Sequence, residues 1–191
     1  LAVVGLHVAG AELDRLQLEA VLPALFRALD AARQADVSTS AGYGIWAADK
    51  QAPYPTWRAA LLDAPNDPPT SRTHGWRERL ATSPIGSGPY EQALVHLHDL
   101  VDACPPERYL VHSDLLNFNV LVSDHKVTGV IDWGCSLYGD FLYDVALLAF
   151  FAPWYPAWAG VDFAREAARH YAAIGLDVPN LGARLQCYMV H

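Results

Sequence analysis

Long apolar runs, clusters of basic residues and a signal sequence are all missing from this sequence. No stretch approaches the roughly 18–20 consecutive apolar residues that a transmembrane helix needs, and residues 1–9 lack the basic region and cleavage site of a secretory signal peptide. The 13 Lys and Arg residues are outnumbered by 21 Asp and Glu residues, which gives a net charge of −8. No basic cluster is longer than residues 77–79, so a nucleic-acid-binding surface is not expected. We expect a cytoplasmic protein with no membrane and no nucleic-acid partner.

Cysteine is also scarce. Cys104, Cys135 and Cys187 are far apart, odd in number and form no C-x-x-C pair, which argues against a zinc site and against a disulfide framework. Apolar residues are abundant, because 52% of the 191 residues are hydrophobic and 11% are aromatic. This composition excludes a disordered chain. The length suffices for a domain with its own core, and we expect a packed globule.

The most informative stretch runs from residue 109 to residue 144. An apolar run ends at Val111, and polar residues then follow at fixed offsets, namely His112, Asp114 and Asn119. Polar groups that interrupt a strand-like pattern in this way mark a candidate site.

A short antiparallel hairpin is predicted after Asn119, where two apolar runs flank a turn-forming cluster. If Ser123 lies opposite Thr128, the register carries through to the open end of the hairpin. There Asn119 would lie directly across from Asp132, with the Cβ atoms roughly 4.5–5.5 Å apart. Amide and carboxylate oxygens suit Mg²⁺, which usually takes one or two protein ligands and leaves its other positions to water and phosphate. The hairpin is therefore predicted to bind Mg²⁺.

A carboxylate beside such a metal is what phosphoryl transfer needs, and Asp114 would stand there. The spacing His112-x-Asp114-x-x-x-x-Asn119 has the form H-x-D-x-x-x-x-N of the kinase catalytic loop. Asp132 stands where the metal-binding Asp of the kinase D-F-G stands. A Trp-Gly pair follows it in this chain instead of Phe-Gly.

Together with the pattern G-D-x-x-x-D at residues 139–144, the stretch resembles the aminoglycoside phosphotransferase family rather than a protein kinase. The resemblance covers residues 109–148. A looser similarity to the hygromycin B phosphotransferase branch runs through residues 40–44 and 55–58. The resemblance implies transfer of phosphate from ATP to a hydroxyl group of a small molecule such as a cationic aminoglycoside, with Mg²⁺ as cofactor. An acidic chain is compatible with a cationic substrate.

Asp140 and Asp144 are four residues apart and fall on one face of a helix that is predicted to begin near residue 140. One of them is expected to cap that helix or to hydrogen-bond the catalytic loop from below. The roles implied by the resemblance are Asp114 as catalytic base, Asn119 and Asp132 as Mg²⁺ ligands, and His112, Asp140 and Asp144 as structural supports.

The fold implied is α+β and mainly helical, the C-terminal lobe of a protein-kinase-like fold with a short β-hairpin that carries the catalytic and metal residues. Residues 1–191 would form this single lobe, with a hinge remnant at 1–10, an irregular insertion at 34–89, and the catalytic loop and metal hairpin at 109–144. The Gly-rich loop and strand Lys that hold the ATP phosphates in kinases do not precede the catalytic loop. We expect the N-terminal nucleotide lobe to be absent from this chain and the chain alone to be inactive.

Helices are predicted from the spacing of apolar residues elsewhere in the chain. The first covers residues 18–33, and Pro23 is expected to kink it or to lie near its start. An aromatic cluster at residues 150–158 packs in the core or lines a sugar-binding cleft. Further helices are predicted over 56–63, 74–81, 90–104, 162–174 and 180–190.

Two other classes of function compete with the kinase interpretation. A metal-dependent hydrolase could use His96, His98, His112 and Asp114, but only if residues 90–104 form a strand, because residues two apart on a helix point about 200° away from each other. A non-catalytic ligand-binding pseudokinase would be recognised by a defective metal site. Within the kinase class the acceptor stays open, since choline, homoserine and fructosamine kinases share the fold and motifs.

Overall fold

The computed structural model describes residues 8–9, 13–115 and 119–191. The chain is α+β and mainly helical, as predicted. Of the predicted hinge remnant at residues 1–10, only Val8–Ala9 lies within the described residues, where it forms a strand. The strands are β1 (Val8–Ala9), β2 (Gly44–Ile45), β3 (Tyr109–Val111), β4 (Val120–Ser123), β5 (Lys126–Val130) and β6 (Leu137–Gly139). The helices are α1 (Arg15–Arg33), α2 (Trp57–Leu62), α3 (Trp76–Ala81), α4 (Gly88–Leu100), α5 (Leu142–Phe151), α6 (Phe163–Ala173) and α7 (Leu181–Val190).

The described strands form two small antiparallel sheets, in the orders β1-β4-β5 and β2-β6-β3. In the second sheet β6 lies in the centre, and its register with β3 pairs Val111 with Leu137 and Tyr109 with Gly139. The strand that leads into the predicted catalytic loop therefore lies beside the strand that follows the predicted metal-binding turn. The two segments meet because their strands are neighbours.

The hairpin of β4 and β5 is present, but its predicted register is wrong. Ser123 pairs with Lys126, not with Thr128. The turn explains the difference, because Asp124 and His125 have φ angles of +49° and +58°, which close the hairpin with two residues. A pairing of Ser123 with Thr128 would require a longer turn.

A β-bulge between Leu121 and Val122 shifts the register a second time. At the open end of the hairpin, the Ile131 N–H donates to the Asn119 carbonyl oxygen at 3.0 Å. Asn119 therefore lies opposite Ile131, and the predicted direct pairing of Asn119 with Asp132 is wrong. Asp132 comes one residue beyond the pair.

Helix α1 begins three residues earlier than predicted because a capping box fixes its start. The Asp14 carboxylate accepts from the Gln17 N–H at 2.9 Å, and the Gln17 side chain accepts from the Asp14 N–H at 2.9 Å. The helix continues through Pro23 and packs on β3 and β5. The residues that it buries are Leu18, Val21, Leu22, Ala24, Leu25, Phe26, Leu29 and Asp30.

The core continues where α7 packs against α4 and α5. Each predicted helix has a counterpart, with ends that differ by at most about four residues. Segment 34–89 contains β2, α2 and α3, and its Trp57 is buried. Within the described ranges, no helix has both the length and the apolar composition needed to cross a membrane.

Candidate active site

His112 follows β3 directly and is buried at 1% exposure. Its Nδ1 accepts from the Asp114 N–H at 3.3 Å, so its Nε2 carries the proton and donates to the Ile131 carbonyl oxygen at 2.8 Å. The ring also lies 4.6 Å from the Trp133 ring, centroid to centroid. One imidazole thus joins the loop that carries Asp114 to the chain that leads into Asp132.

Asp144 supports the same loop from the first turn of α5. Its two carboxylate oxygens accept from the N–H groups of His112 at 2.9 Å and Ser113 at 2.7 Å. Burial raises the pKa of Asp144 to about 6, and the two N–H donors offset part of that rise. The carboxylate fixes two consecutive peptide groups just before Asp114.

Asp114 and Asn119 lie in direct contact. The Asn119 Nδ2 atom donates to the Asp114 carbonyl oxygen at 2.7 Å and to Asp114 Oδ2 at 3.2 Å. Because the amide nitrogen faces Asp114, the amide oxygen faces the opposite way. The pair therefore presents a carboxylate and an amide oxygen at one end of the β4–β5 hairpin.

Asp132 is exposed and adopts a left-handed backbone with φ of +59°. It precedes a 3₁₀ turn over Trp133–Cys135. Asp132 follows Ile131, which is hydrogen-bonded to both Asn119 and His112. The structure thus places Asp132 next to the segment that carries Asp114 and Asn119.

The chemistry of these donors fits Mg²⁺. Asn119 supplies a neutral amide oxygen and Asp132 an exposed carboxylate, and Mg²⁺ prefers such oxygens with water and phosphate in its remaining positions. Among the residues that the structure describes, no group of three or more His, Cys, Asp or Glu side chains could hold a metal ion. A cage built from protein side chains alone is thus absent from that part of the chain, and a two-ligand site does not need one.

Asp140 has a different structural role from Asp144. Helix α5 starts at Leu142, so Asp140 lies before the helix and its Oδ1 accepts from the Leu142 N–H at 3.1 Å. The carboxylate is fully buried and pairs with Arg184 Nε at 2.8 Å and Nη2 at 2.7 Å. The Tyr188 hydroxyl also donates to it. Asp140 thus anchors α7, and its hydrogen bonds within the described residues go to Leu142, Arg184 and Tyr188.

Sequence reasoning missed Arg184, Tyr188 and Ser113. An arginine on the otherwise apolar face of α7 was the available signal, because a buried arginine requires an acidic partner. Ser113 gave no signal, since its importance lies in its backbone conformation and in two long-range hydrogen bonds.

The hydrolase hypothesis is wrong. It required residues 90–104 to form a strand, but α4 is a helix. His96 and His98 are both exposed on it, and two residues apart on a helix they diverge. They do not join His112.

The aromatic cluster at residues 150–158 divides into two parts. Trp158 is buried and packs on Phe163, with ring centroids 5.5 Å apart. Phe150 and Trp154, by contrast, are 42% and 66% exposed. Core packing therefore explains the end of the cluster but not its beginning.

Comparison with known proteins agrees with this geometry. A sequence profile of the phosphotransferase enzyme family, APH, matches residues 3–181. Hygromycin-B 4-O-kinase from Escherichia coli is 34% identical over 143 residues, which are 75% of this chain and 40% of that protein. The chain therefore spans less than half the length of this curated relative.

Solved structures show the same likeness. A thermostable mutant of aminoglycoside phosphotransferase APH(4)-Ia in complex with ADP and hygromycin B has a TM-score of 0.78 and 29% identity, over 97% of this chain and 59% of that one. Another mutant, in complex with AMP-PNP and hygromycin B, has a TM-score of 0.77. Macrolide 2'-phosphotransferase MphH from Brachybacterium faecium, at 18% identity and a TM-score of 0.52 over 93% of this chain and 52% of that one, shares the fold alone. The predicted kinase-like fold is confirmed, and the chain belongs to the phosphotransferase enzyme family, APH.

Proposed function

We propose that the protein carrying this chain moves the γ-phosphate of ATP to a hydroxyl group of an aminoglycoside antibiotic. The Escherichia coli relative is named a hygromycin-B kinase, and two solved structures of APH(4)-Ia mutants hold hygromycin B together with ADP or AMP-PNP. The observation that carries the proposal is the hydrogen bond from Asn119 Nδ2 to Asp114 Oδ2. It brings the proposed base and a proposed metal ligand into contact.

Asp114 is the catalytic base in this proposal. Its carboxylate accepts the proton of the acceptor hydroxyl as that oxygen attacks phosphorus. Asn119 holds the carboxylate at Oδ2, and the bond between the Asp114 N–H and His112 holds the backbone. The base is thus oriented before the substrate binds, and orientation supplies much of the rate in phosphoryl transfer.

Asn119 and Asp132 are the residues that would hold Mg²⁺. The bound ion would neutralise charge on the transferred phosphate. Asn119 can serve both neighbours because its nitrogen donates to Asp114 and its oxygen is left for the cation. His112 supports Asp132 through the Ile131 carbonyl oxygen.

Binding of ATP requires residues beyond this site. Kinases hold the ATP phosphates with a Gly-rich loop and a strand Lys, and this chain spans 59% of the solved relatives. We therefore assign the chain to the C-terminal lobe, with the hinge at residues 1–10, an insertion at 34–89 that forms one wall of the acceptor site, and the site itself at 109–144. Residues 1–191 alone should not catalyse phosphate transfer. Because ATP is the donor, we place the reaction in the cytoplasm.

The test is a phosphotransfer assay on the full-length protein with Mg²⁺-ATP and a panel of aminoglycosides that includes hygromycin B. Asp114→Asn should lower turnover by about 10²–10⁴-fold, since the base is removed, while the fold persists because Asn119 still bonds the residue 114 carbonyl oxygen. Asp124→Asn is the matched control, because Asp124 is exposed in the β4–β5 turn with a left-handed backbone that Asn tolerates.

Three outcomes separate the hypotheses. Turnover that Asp114→Asn abolishes and Asp124→Asn retains would support the proposal and identify the acceptor. Nucleotide binding without turnover on any aminoglycoside would redirect the search to small alcohols of the choline, homoserine or fructosamine type. The absence of nucleotide binding would contradict the kinase proposal and favour a ligand-binding pseudokinase.

A further inference from the structure

Ser113 has a backbone conformation that few residues other than glycine adopt, with φ of +62°. A side chain in this left-handed region is strained, so neighbouring groups must hold it there. The Ser113 N–H donates to Asp144 Oδ1 at 2.7 Å. Its hydroxyl donates to the Cys135 carbonyl oxygen at 2.9 Å, across 22 positions of sequence.

The hydroxyl bond reaches the turn that begins after Asp132. Cys135 is the last residue of that turn. On the other side of Asp132, the Ile131 carbonyl oxygen accepts from His112 Nε2 at 2.8 Å. Two consecutive loop residues, His112 and Ser113, therefore hold the chain at carbonyl groups that flank Asp132.

Asp132 depends on these flanking contacts. Its own φ is +59°, and its carboxylate accepts no hydrogen bond within the described ranges. The orientation of Asp132 relative to Asp114 is then set by the bonds on either side of it.

We propose that Ser113 is a positioning residue whose hydroxyl fixes the Asp132–Cys135 turn against the loop that carries Asp114. Its purpose rests on the function proposed above, because the turn carries a proposed Mg²⁺ ligand. This chain has a serine at a position that glycine would occupy without strain, and the bond to Cys135 is the contact that glycine could not make.

Two variants separate the hydroxyl from the strain. Ser113→Ala removes the hydroxyl and keeps a side chain in the left-handed region, whereas Ser113→Gly removes both the hydroxyl and the strain. We expect Ser113→Gly to melt at a temperature no lower than Ser113→Ala. Both should nevertheless lose the positioning of the turn to the same extent.

The first measurement needs neither metal nor substrate. The Ser136 N–H donates to the Trp133 carbonyl oxygen at 3.0 Å and so reports whether the turn is closed. Hydrogen exchange of this amide in the full-length protein should be about three to ten times faster in both variants, the effect of losing one hydrogen bond. Ser38→Ala is the control, because Ser38 is exposed and its N–H donates to the Asp36 carboxylate at 2.9 Å.

The second measurement is the affinity for Mn²⁺ in the presence of ATP, determined by electron paramagnetic resonance. It should weaken about three- to tenfold in both variants and stay unchanged in Ser38→Ala. A role in stability alone would not weaken Mn²⁺ binding in Ser113→Gly, whose fold is not strained.

The results distinguish this proposal from the function proposed above. Faster Ser136 exchange together with weaker Mn²⁺ binding supports it. Unchanged Ser136 exchange in both variants overturns it, whatever the activity, and so does faster exchange with unchanged Mn²⁺ affinity. If exchange is faster but the wild-type protein binds no Mn²⁺ and transfers no phosphate, the hydroxyl contact is supported and the phosphotransferase proposal fails.

Discussion

The buried carboxyl group of Asp144 should make the stability of the protein fall as the pH rises. Burial raises its pKa from the ordinary value of 3.8 to about 6 in the folded protein. Because the folded value is the higher one, folding favours the protonated form. The stabilisation from protonation is fully present below about pH 4 and is lost as the pH rises through about 6. This difference in pKa corresponds to about 3 kcal/mol.

The perturbation is Asp144→Asn, which keeps the shape of the side chain but removes its titration. Urea unfolding of both proteins would be measured at several values between about pH 4.5 and pH 7.5. Over that interval the wild-type protein should lose about 2 kcal/mol of unfolding free energy relative to the variant. Asp124→Asn serves as control because Asp124 is exposed, so its difference from wild type should stay nearly constant.

Turnover should depend on the titration of Asp144 as well, but it should fall as the pH falls, whereas stability falls as the pH rises. The charged Asp144 carboxylate accepts from two N–H groups of the catalytic loop, and protonation weakens one of these acceptors. Turnover should therefore decline below about pH 6. A difference in unfolding free energy that does not vary with pH, or that grows in favour of wild type as pH rises, would refute the raised pKa.

Two further predictions concern the packing beneath the site. Arg184→Met leaves the buried Asp140 carboxylate without its bidentate partner and should cost about 3–5 kcal/mol in urea unfolding; adding Asp140→Asn should restore part of that loss, and no restoration would contradict the charge argument. Gly139→Ala places a Cβ atom 2.7 Å from the Trp57 Cη2 atom and should cost about 1–3 kcal/mol. Gly182→Ala in α7 is its control, since nothing lies within 4 Å of the added atom, and equal stability losses in the two glycine variants would refute the steric explanation.

That Asp114 and Asn119 belong to one site could be predicted from the sequence because the two residues are close along the chain. Five positions separate the two residues, so one loop spans them, and the support that Asp144 gives to that loop is the part that the local sequence does not indicate. The position of Asp132 could be predicted only approximately. Its register depends on a two-residue turn and on a bulge between Leu121 and Val122, and alternating apolar residues indicate neither.

Asp140 and Asp144 show a second limit of sequence reasoning. Sequence spacing predicts both residues on one helix face and does not distinguish their roles. Those roles depend on where α5 starts, because Asp140 lies before the helix and Asp144 in its first turn. The partner of Asp140 is Arg184, 44 residues away, a distance over which local pattern has no predictive value. Helix positions were predicted well since each helix carries its own apolar spacing, and ends were missed where a cap such as Asp14 decided them.

The central place of β6 in its sheet joins the proposed catalytic segment to the proposed acceptor wall. One edge of β6 pairs with β3, which leads into the catalytic loop, and the other pairs with β2 in segment 34–89. The proposed acceptor wall is therefore joined to the proposed catalytic segment by a short ladder at Gly44 and Ile45, and Arg108 adds hydrogen bonds to carbonyl groups of segment 34–89. Directed evolution of acceptor range can randomise the exposed loops of that segment, such as residues 68–74, while the backbone that carries the chemistry stays as it is.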